Sequence, residues 1–205
     1  MATIAADAGV DIIFAPKASD MYPSGYQTWV TVEEITAPLE GRCRPEHFRG
    51  VTTIVAKLFN AFQPDRAYFG QKDAQQAAVI RRMTRDLNFP VEVVVCPTVR
   101  ESDGLALSSR NAYLDSEERK AATVLFRALI MAKNSYEKGE REGDTLRALM
   151  QSIIDAEPLA IPEYVSAADF ETLLELQRID SNRGVLLSMA VRIGKTRLID
   201  NMLLR

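Results

Sequence analysis

One histidine, two cysteines, one tryptophan and no long apolar run mark this sequence, and each shortage excludes something. A single imidazole, His47, cannot make a histidine pair for a metal. Cys43 and Cys96 stand far apart with no CxxC spacing, which speaks against a zinc site or a disulfide framework and for a reducing compartment, the cytoplasm. Val185 to Val191 is among the longest uncharged apolar runs and falls far below the roughly 20 residues of a membrane span, so no membrane partner is expected. The first residues carry Asp7 and Asp11 and no early Lys or Arg, unlike a secretory signal. A basic excess is also missing. With 25 Lys and Arg against 28 Asp and Glu the net charge is −3, and no nucleic-acid partner is expected.

What is present is ordinary for a soluble globular chain: 205 residues, 47% hydrophobic and 26% charged, enough for one large domain or two small ones. Residues 1–9 read as the end of a helix stopped by Gly9, and Val10–Ala15 as a buried strand ending at Pro16. Pro23, Gly25, Tyr22, Tyr26 and Trp29 mark a loop into a short strand near Thr28–Val32. Gly50 precedes an amphipathic helix with Val51, Ile54, Val55, Leu58, Phe59 and Phe62 on one face. A strand over Arg66–Phe69, a helix opened by Asp73 with Val79, Ile80, Met83 and Leu87 on its apolar face, and a strand over Val91–Val95 follow. That alternation predicts a parallel α/β sheet.

After Asn111 the grammar changes. Asp115-Ser116-Glu117-Glu118 is a capping box opening a helix to about residue 137, and Gly143 and Asp144 punctuate a second helix reaching Glu157-Pro158. Tyr164–Ala168, Gly184–Ile193 and Thr196–Met202 read as strands of an antiparallel sheet in a small α+β domain. The boundary falls near Val99, giving units of 1–98 and 99–205.

Two stretches concentrate polar groups at predicted strand ends. The first is Arg66-Ala67-Tyr68-Phe69-Gly70-Gln71-Lys72-Asp73-Ala74-Gln75-Gln76. The second is Pro97-Thr98-Val99-Arg100-Glu101-Ser102-Asp103-Gly104-Leu105-Ala106-Leu107-Ser108-Ser109-Arg110-Asn111. Lys72, Ser108, Ser109 and Arg110 offer a polyphosphate a point charge, two hydroxyls and a planar cationic fork. Backbone N–H groups at the helix start after Lys72 and Asp73 add partial positive charge. Taken singly, each residue has a plainer role: Asp73 as a helix cap, Lys72 as a solvated lysine, Ser108-Ser109-Arg110 as an exposed loop. Gln76 falls with the apolar residues Val79, Ile80, Met83 and Leu87. A buried amide without partners costs roughly 1–3 kcal/mol, so either a backbone group or a polar ligand should bond to it. Gly194-Lys195-Thr196 imitates the end of a P-loop but lacks the earlier glycine, since position 189 is Met189, and it joins two predicted strands as a β-turn. His47 sits in a helix-boundary loop, where Arg44 and Arg49 can face an anion.

Together these two stretches closely resemble the pantoate–β-alanine ligase (pantothenate synthetase) family. The resemblance extends to His47-Phe48-Arg49-Gly50-Val51 and Thr196-Arg197-Leu198-Ile199-Asp200-Asn201, and so covers essentially the whole chain. It implies a Rossmann-like nucleotidyltransferase domain followed by a small C-terminal α+β domain, in a cytoplasmic homodimer. It also implies ATP and Mg²⁺ as cofactors and pantoate and β-alanine as substrates, joined through a pantoyl adenylate. Position by position, Gly70, Gln71 and Asp73 match nucleotide contacts, Lys72 and Arg110 catalytic phosphate contacts, and Gln76 a pantoate ligand. Val99 and Leu107 match residues beside adenine, and Ser108 and Ser109 match phosphate contacts.

The resemblance also marks a departure. Family members begin with a strand leading into His-x-Gly-His and a second strand with an Asn and a Gln that hold pantoate, whereas a chain with one histidine contains no such pair. In a doubly wound sheet of order 3-2-1-4-5, loss of strands 1 and 2 leaves a gap of about 14 Å at roughly 4.8 Å per neighbour. The expectation is therefore an incomplete Rossmann-like sheet and a chain with little ligase activity alone. The competing expectation is a non-catalytic remnant that binds nucleotide or serves in dimerisation.

Overall fold

The computed structural model describes residues 2–205. Three short helices, α1 (Ala2–Asp7), α2 (Ala18–Met21) and α3 (Glu40–Cys43), precede the long helix α4 (His47–Phe62). Strand β1 (Arg66–Gly70), a 3₁₀ turn (Gln71–Asp73), helix α5 (Ala74–Asp86) and strand β2 (Glu92–Cys96) then form one crossover unit. β1 and β2 pair in parallel, with Arg66 opposite Glu92 and Gly70 opposite Cys96. Helices α4 and α5 close a core of Val55, Ala56, Phe59, Ile80, Met83 and Val91.

The second half opens with a 3₁₀ turn (Ser109–Tyr113) and helices α6 (Ser116–Ala121), α7 (Val124–Glu137) and α8 (Gly143–Asp155). Asp115 caps α6 as expected: its Oδ1 accepts from the N–H groups of Glu117 and Glu118 at 2.9 and 2.8 Å, while Glu118 Oε2 accepts from the Asp115 N–H at 3.1 Å. The single helix expected to residue 137 is broken at Ala122–Thr123, where the Thr123 hydroxyl donates to the Lys120 carbonyl and competes with the helical ladder. Strands β3 (Ala160–Ala168), β4 (Val185–Ile193) and β5 (Thr196–Leu204) make an antiparallel sheet of order β3-β4-β5, and Gly194-Lys195 forms the turn between the last two.

The two-residue alternation of β4 explains how the halves meet. Val185, Leu187, Met189, Val191 and Ile193 face the core built with α7 and α8, which supply Leu125, Leu129, Leu146, Met150 and Ile154. Leu186 belongs to a separate cluster with Ile35, Phe48, Val79 and Leu173. β4 is therefore covered on both faces, by its own helices on one and by the α/β unit on the other. The incomplete parallel sheet followed by an antiparallel α+β unit is the architecture expected.

Three expectations require correction. Val10–Ala15 is not a strand: it has no strand neighbour, and Ile12 is 80% exposed. An isolated extended segment has no ladder for its N–H and C=O groups, so apolar composition alone does not make a strand. Thr28–Val32 is also unpaired with any strand; the Val30 N–H donates to Thr53 Oγ1 at 3.0 Å and its carbonyl accepts from Thr52 Oγ1 at 2.6 Å. Side chains of α4 thus take the place of a neighbouring strand. The α4 helix itself starts at His47, before Gly50, and Phe62 and Leu87 at the ends of α4 and α5 are exposed, because both lie beyond the core that the helices share.

Candidate functional site

The crossover unit delivers the first of the two polar segments. Gly70 ends β1, the 3₁₀ turn carries Gln71, Lys72 and Asp73, and α5 begins at Ala74. The backbone of this turn is held from below by Asn201 of β5, whose Nδ2 donates to the carbonyls of Gln71 and Lys72 at 3.0 and 2.8 Å. Among the described residues the Lys72 side chain has no carboxylate partner, and Asp73, at the cap position of α5, makes no side-chain capping bond.

The second segment is a small hairpin. The Leu107 N–H donates to the Val99 carbonyl at 2.9 Å, and Arg100 bridges Ala106. Arg100 makes a two-pronged ion pair with Asp200 at 2.7 and 2.9 Å and lies 4.7 Å from the Phe126 ring centre. Arg119 holds Glu101 at 2.7 Å and Asp103 at 2.8 Å, and its guanidinium keeps both carboxyls below their ordinary range. Beyond the hairpin, Ser108 Oγ accepts from the Arg110 N–H at 3.2 Å, which shapes the turn that presents Ser109 and Arg110.

These two segments meet across a cavity of about 210 Å³. Lys72, Asp73, Gln76, Ser108, Ser109 and Arg110 all line it, although the sequence separates them by up to 38 positions (72 to 110). Gly70, Gln71, Val99 and Leu107 do not. Gln71 is turned toward Asn201, to whose Oδ1 it donates at 2.9 Å. Val99 and Leu107 are 65% and 50% exposed and sit side by side as an apolar ledge on the hairpin. A wider groove of about 850 Å³ near Thr31–Ile35 contains none of these residues.

Gln76 differs from expectation in its burial. It is half-buried and without a hydrogen-bond partner among the described residues, whereas its neighbour Gln75 is the buried amide. Gln75 donates to the carbonyls of Ile35 and Pro38 at 3.0 and 2.9 Å and accepts from the Glu40 N–H at 3.0 Å. The period of α5 aims Gln76 correctly, but at the first helical turn that face overlooks the cavity instead of the core.

The other wall consists of residues that the sequence leaves without a role, apart from Arg44, which it offers to an anion. Glu40 is buried beside the cavity and takes Arg197 in a two-pronged pair at 2.7 and 2.9 Å, and the Tyr164 hydroxyl at 2.9 Å. Burial, and then the Glu40 carboxylate, push the Tyr164 hydroxyl far above its usual pKa, so it remains a donor. Arg44 and His47 line the same wall. Burial, followed by the charge of Arg44, lowers the pKa of His47, leaving a neutral imidazole at pH 7. Ser188 of β4 also lines the cavity with a buried hydroxyl lacking a partner among the described residues. The Arg44-Pro45-Glu46-His47 run was visible in sequence, but nothing local tells which segment it faces. With Glu40 matched by Arg197 and Asp200 by Arg100, the cations Lys72, Arg44 and Arg110 outnumber the one unpaired carboxylate, Asp73. An excess of unpaired cations, hydroxyls and amides suits a small polyanion.

A family model described as pantoate-beta-alanine ligase matches residues 2–203. A pantothenate synthetase of Roseiflexus castenholzii is 63% identical over 195 residues, which is 95% of this chain and 69% of that protein. A pantothenate synthetase of Chloroflexus aurantiacus is 59% identical over 197 residues, covering 96% of this chain and 70% of the relative. Among solved structures, pantothenate synthetase of Thermus thermophilus superposes with a TM-score of 0.93 at 48% identity, over 98% of this chain and 72% of the other. A pantoate-beta-alanine ligase from Francisella tularensis, complexed with beta-gamma ATP and beta-alanine, gives a TM-score of 0.73 at 31% identity, over 98% and 68% of the two chains.

Proposed function

The chain belongs to the pantoate–β-alanine ligase family, and on that premise we propose that its cavity serves the ATP-dependent condensation of pantoate with β-alanine through a pantoyl adenylate. The observation that carries this reading is the convergence of Lys72, Gln76, Ser108, Ser109 and Arg110 on one cavity rich in unpaired cations. In the first half-reaction a pantoate carboxylate oxygen bonds to the α-phosphorus of ATP and pyrophosphate departs. Lys72 and Arg110 stabilise the charge that grows on the leaving phosphates, and the hydroxyls of Ser108 and Ser109 donate to the same oxygens. Gln76 holds pantoate through its free amide. In the second half-reaction the amine of β-alanine attacks the acyl carbon and AMP leaves.

The cavity of about 210 Å³ collects the groups suited to phosphates and pantoate, and the apolar Val99–Leu107 ledge outside it suits adenine. On this reading adenine lies beside Val99 and Leu107, with Gly70 and Asp73 nearer the ribose. Among the described residues no group of three His, Cys, Asp or Glu could hold a metal ion. A Mg²⁺ would therefore be held chiefly by the triphosphate oxygens and not by a cluster of side chains. Bound there, the ion would offset phosphate charge.

These 205 residues contain no His-x-Gly-His sequence, and on their own they should turn over very little, since loss of one preorganised donor typically slows such chemistry about 100- to 1,000-fold. Residues 1–98 act as the nucleotide unit and 99–205 as the closing unit of a cytoplasmic homodimer. A second reading, a non-catalytic nucleotide-binding or dimerisation chain, is favoured by the edge of β1 that no strand covers among the described residues.

Single-turnover kinetics on a chain extended with the family's His-x-Gly-His region test the assignments. Lys72→Ala and Arg110→Ala should slow adenylation while leaving attack of β-alanine on supplied pantoyl adenylate comparatively intact, because their partner departs with pyrophosphate. Gln76→Ala should affect both steps, because the pantoyl group persists through them. Equal slowing of both steps by Lys72→Ala and Arg110→Ala would contradict the phosphate assignment.

A further inference from the structure

The Thr196–Asn201 motif has no part in the chemistry above, yet two of its side chains grip both phosphate-facing segments. Asn201 is 4% exposed, and its whole amide is engaged by the turn that carries Lys72. Nδ2 donates to the carbonyls of Gln71 at 3.0 Å and Lys72 at 2.8 Å, and Oδ1 accepts from Gln71 Nε2 at 2.9 Å. Asp200, 2% exposed, holds Arg100 in the two-pronged pair at the root of the hairpin leading to Ser108–Arg110. The two residues are also locked to each other. Asp200 Oδ1 accepts from the Asn201 N–H at 2.8 Å, and Arg100 Nη2 donates to the Asn201 carbonyl at 3.3 Å. Both sit on β5 opposite Ser188 and Met189 of the doubly covered strand β4, a rigid base.

We propose that the Asp200–Asn201 pair is a bracket that fixes the spacing between the Lys72 turn and the Ser108–Arg110 loop, with Asn201 a positioning residue for Lys72. A three-residue 3₁₀ turn has weak hydrogen bonds of its own and relies on outside partners for a single conformation. Freed from the Asn201 amide, the turn would have to be ordered by the ligand, and affinity would fall by that ordering cost. The bracket rests on the reading of Lys72 as a phosphate contact.

Calorimetric titration of the 205-residue chain with ATP, together with a double-mutant cycle, tests both ideas separately. Lys72→Ala and Asn201→Ala should each weaken ATP binding by about tenfold, the scale of one charge-assisted hydrogen bond. The double variant should lose clearly less than the product of the two single losses, because the amide acts largely through the lysine. Losses that multiply in the double variant, or an Asn201→Ala chain that binds like the parent, overturn the bracket. A Lys72→Ala chain that binds like the parent, or a parent that binds no ATP, overturns the phosphate role of Lys72. Amide hydrogen exchange then decides the bracket by itself. Asn201→Ala should speed exchange across Gln71–Asp73 while the β4 and β5 amides keep their protection. Unchanged exchange in the turn, or equal acceleration throughout β4 and β5, would mark a merely structural asparagine and overturn the proposal.

Discussion

The Gln75 side chain ties α5 to the 35–40 loop through three hydrogen bonds to backbone groups, whereas Gln76 beside it faces the cavity with its amide free. Removing the first strands a buried N–H, a buried carbonyl and a partly buried one, so Gln75→Ala should cost about 2–3 kcal/mol of stability. Gln76→Ala should stay within about 0.5 kcal/mol of the parent, as a change at a residue without partners. Urea melting of the two variants distinguishes them, and equal losses would contradict the division of roles. The helical period places Gln76 in line with Ile80 and Met83, which is legible from the sequence. It does not reveal that the first turn of this face meets a cavity, nor that the partners of Gln75 lie 35 to 40 positions away. Glu40, Tyr164 and Arg197 were hidden for the same reason, being bonded across 124 and 157 positions.

Elements whose causes are local could be read from the sequence with little loss. The Asp115 capping box, the β1-α5-β2 crossover and the Gly194-Lys195 turn each depend on neighbours within a few residues or on one periodicity. Val10–Ala15 shows where that fails, since a strand is a pairing and its apolar residues cannot supply the partner. The hairpin over residues 99–107 turns at Gly104, which combines a φ of +92° with a side-chain site already filled by the Phe126 ring, 1.9 Å from where a Cβ would stand. Gly104→Ala therefore meets both backbone strain and overpacking, and should lose roughly 2–4 kcal/mol. Gly70→Ala, with nothing within 4 Å of the added methyl and no positive φ, should change stability by less than about 1 kcal/mol. Thermal melting of both variants checks this, and a Gly104→Ala chain as stable as Gly70→Ala would contradict the packing described for the hairpin.

Across the whole molecule, Glu40 with Arg197 and Gln71 with Asn201 tie the α/β unit to the antiparallel sheet around the cavity, and Arg100 with Asp200 ties the 99–107 hairpin to the same sheet. The Arg100–Asp200 pair is largely buried, and removing one partner of such a pair typically costs about 3–5 kcal/mol, so it holds the 99–107 hairpin to β5. Burial raises the Glu163 carboxyl, but Arg197 and Arg192 outweigh it and keep that group below the ordinary carboxylate range. The fold thus brings residues distant in sequence to one cavity rich in unpaired cations, the proposed phosphate side of the site, while the family's paired histidines are not among these 205 residues. On this reading the chain holds a site able to bind substrates but unable alone to drive adenylation. Pantoate-dependent exchange of labelled pyrophosphate into ATP measures that step directly. The purified 205-residue chain should exchange at a rate indistinguishable from its Lys72→Ala variant; exchange clearly above that variant would contradict the claim.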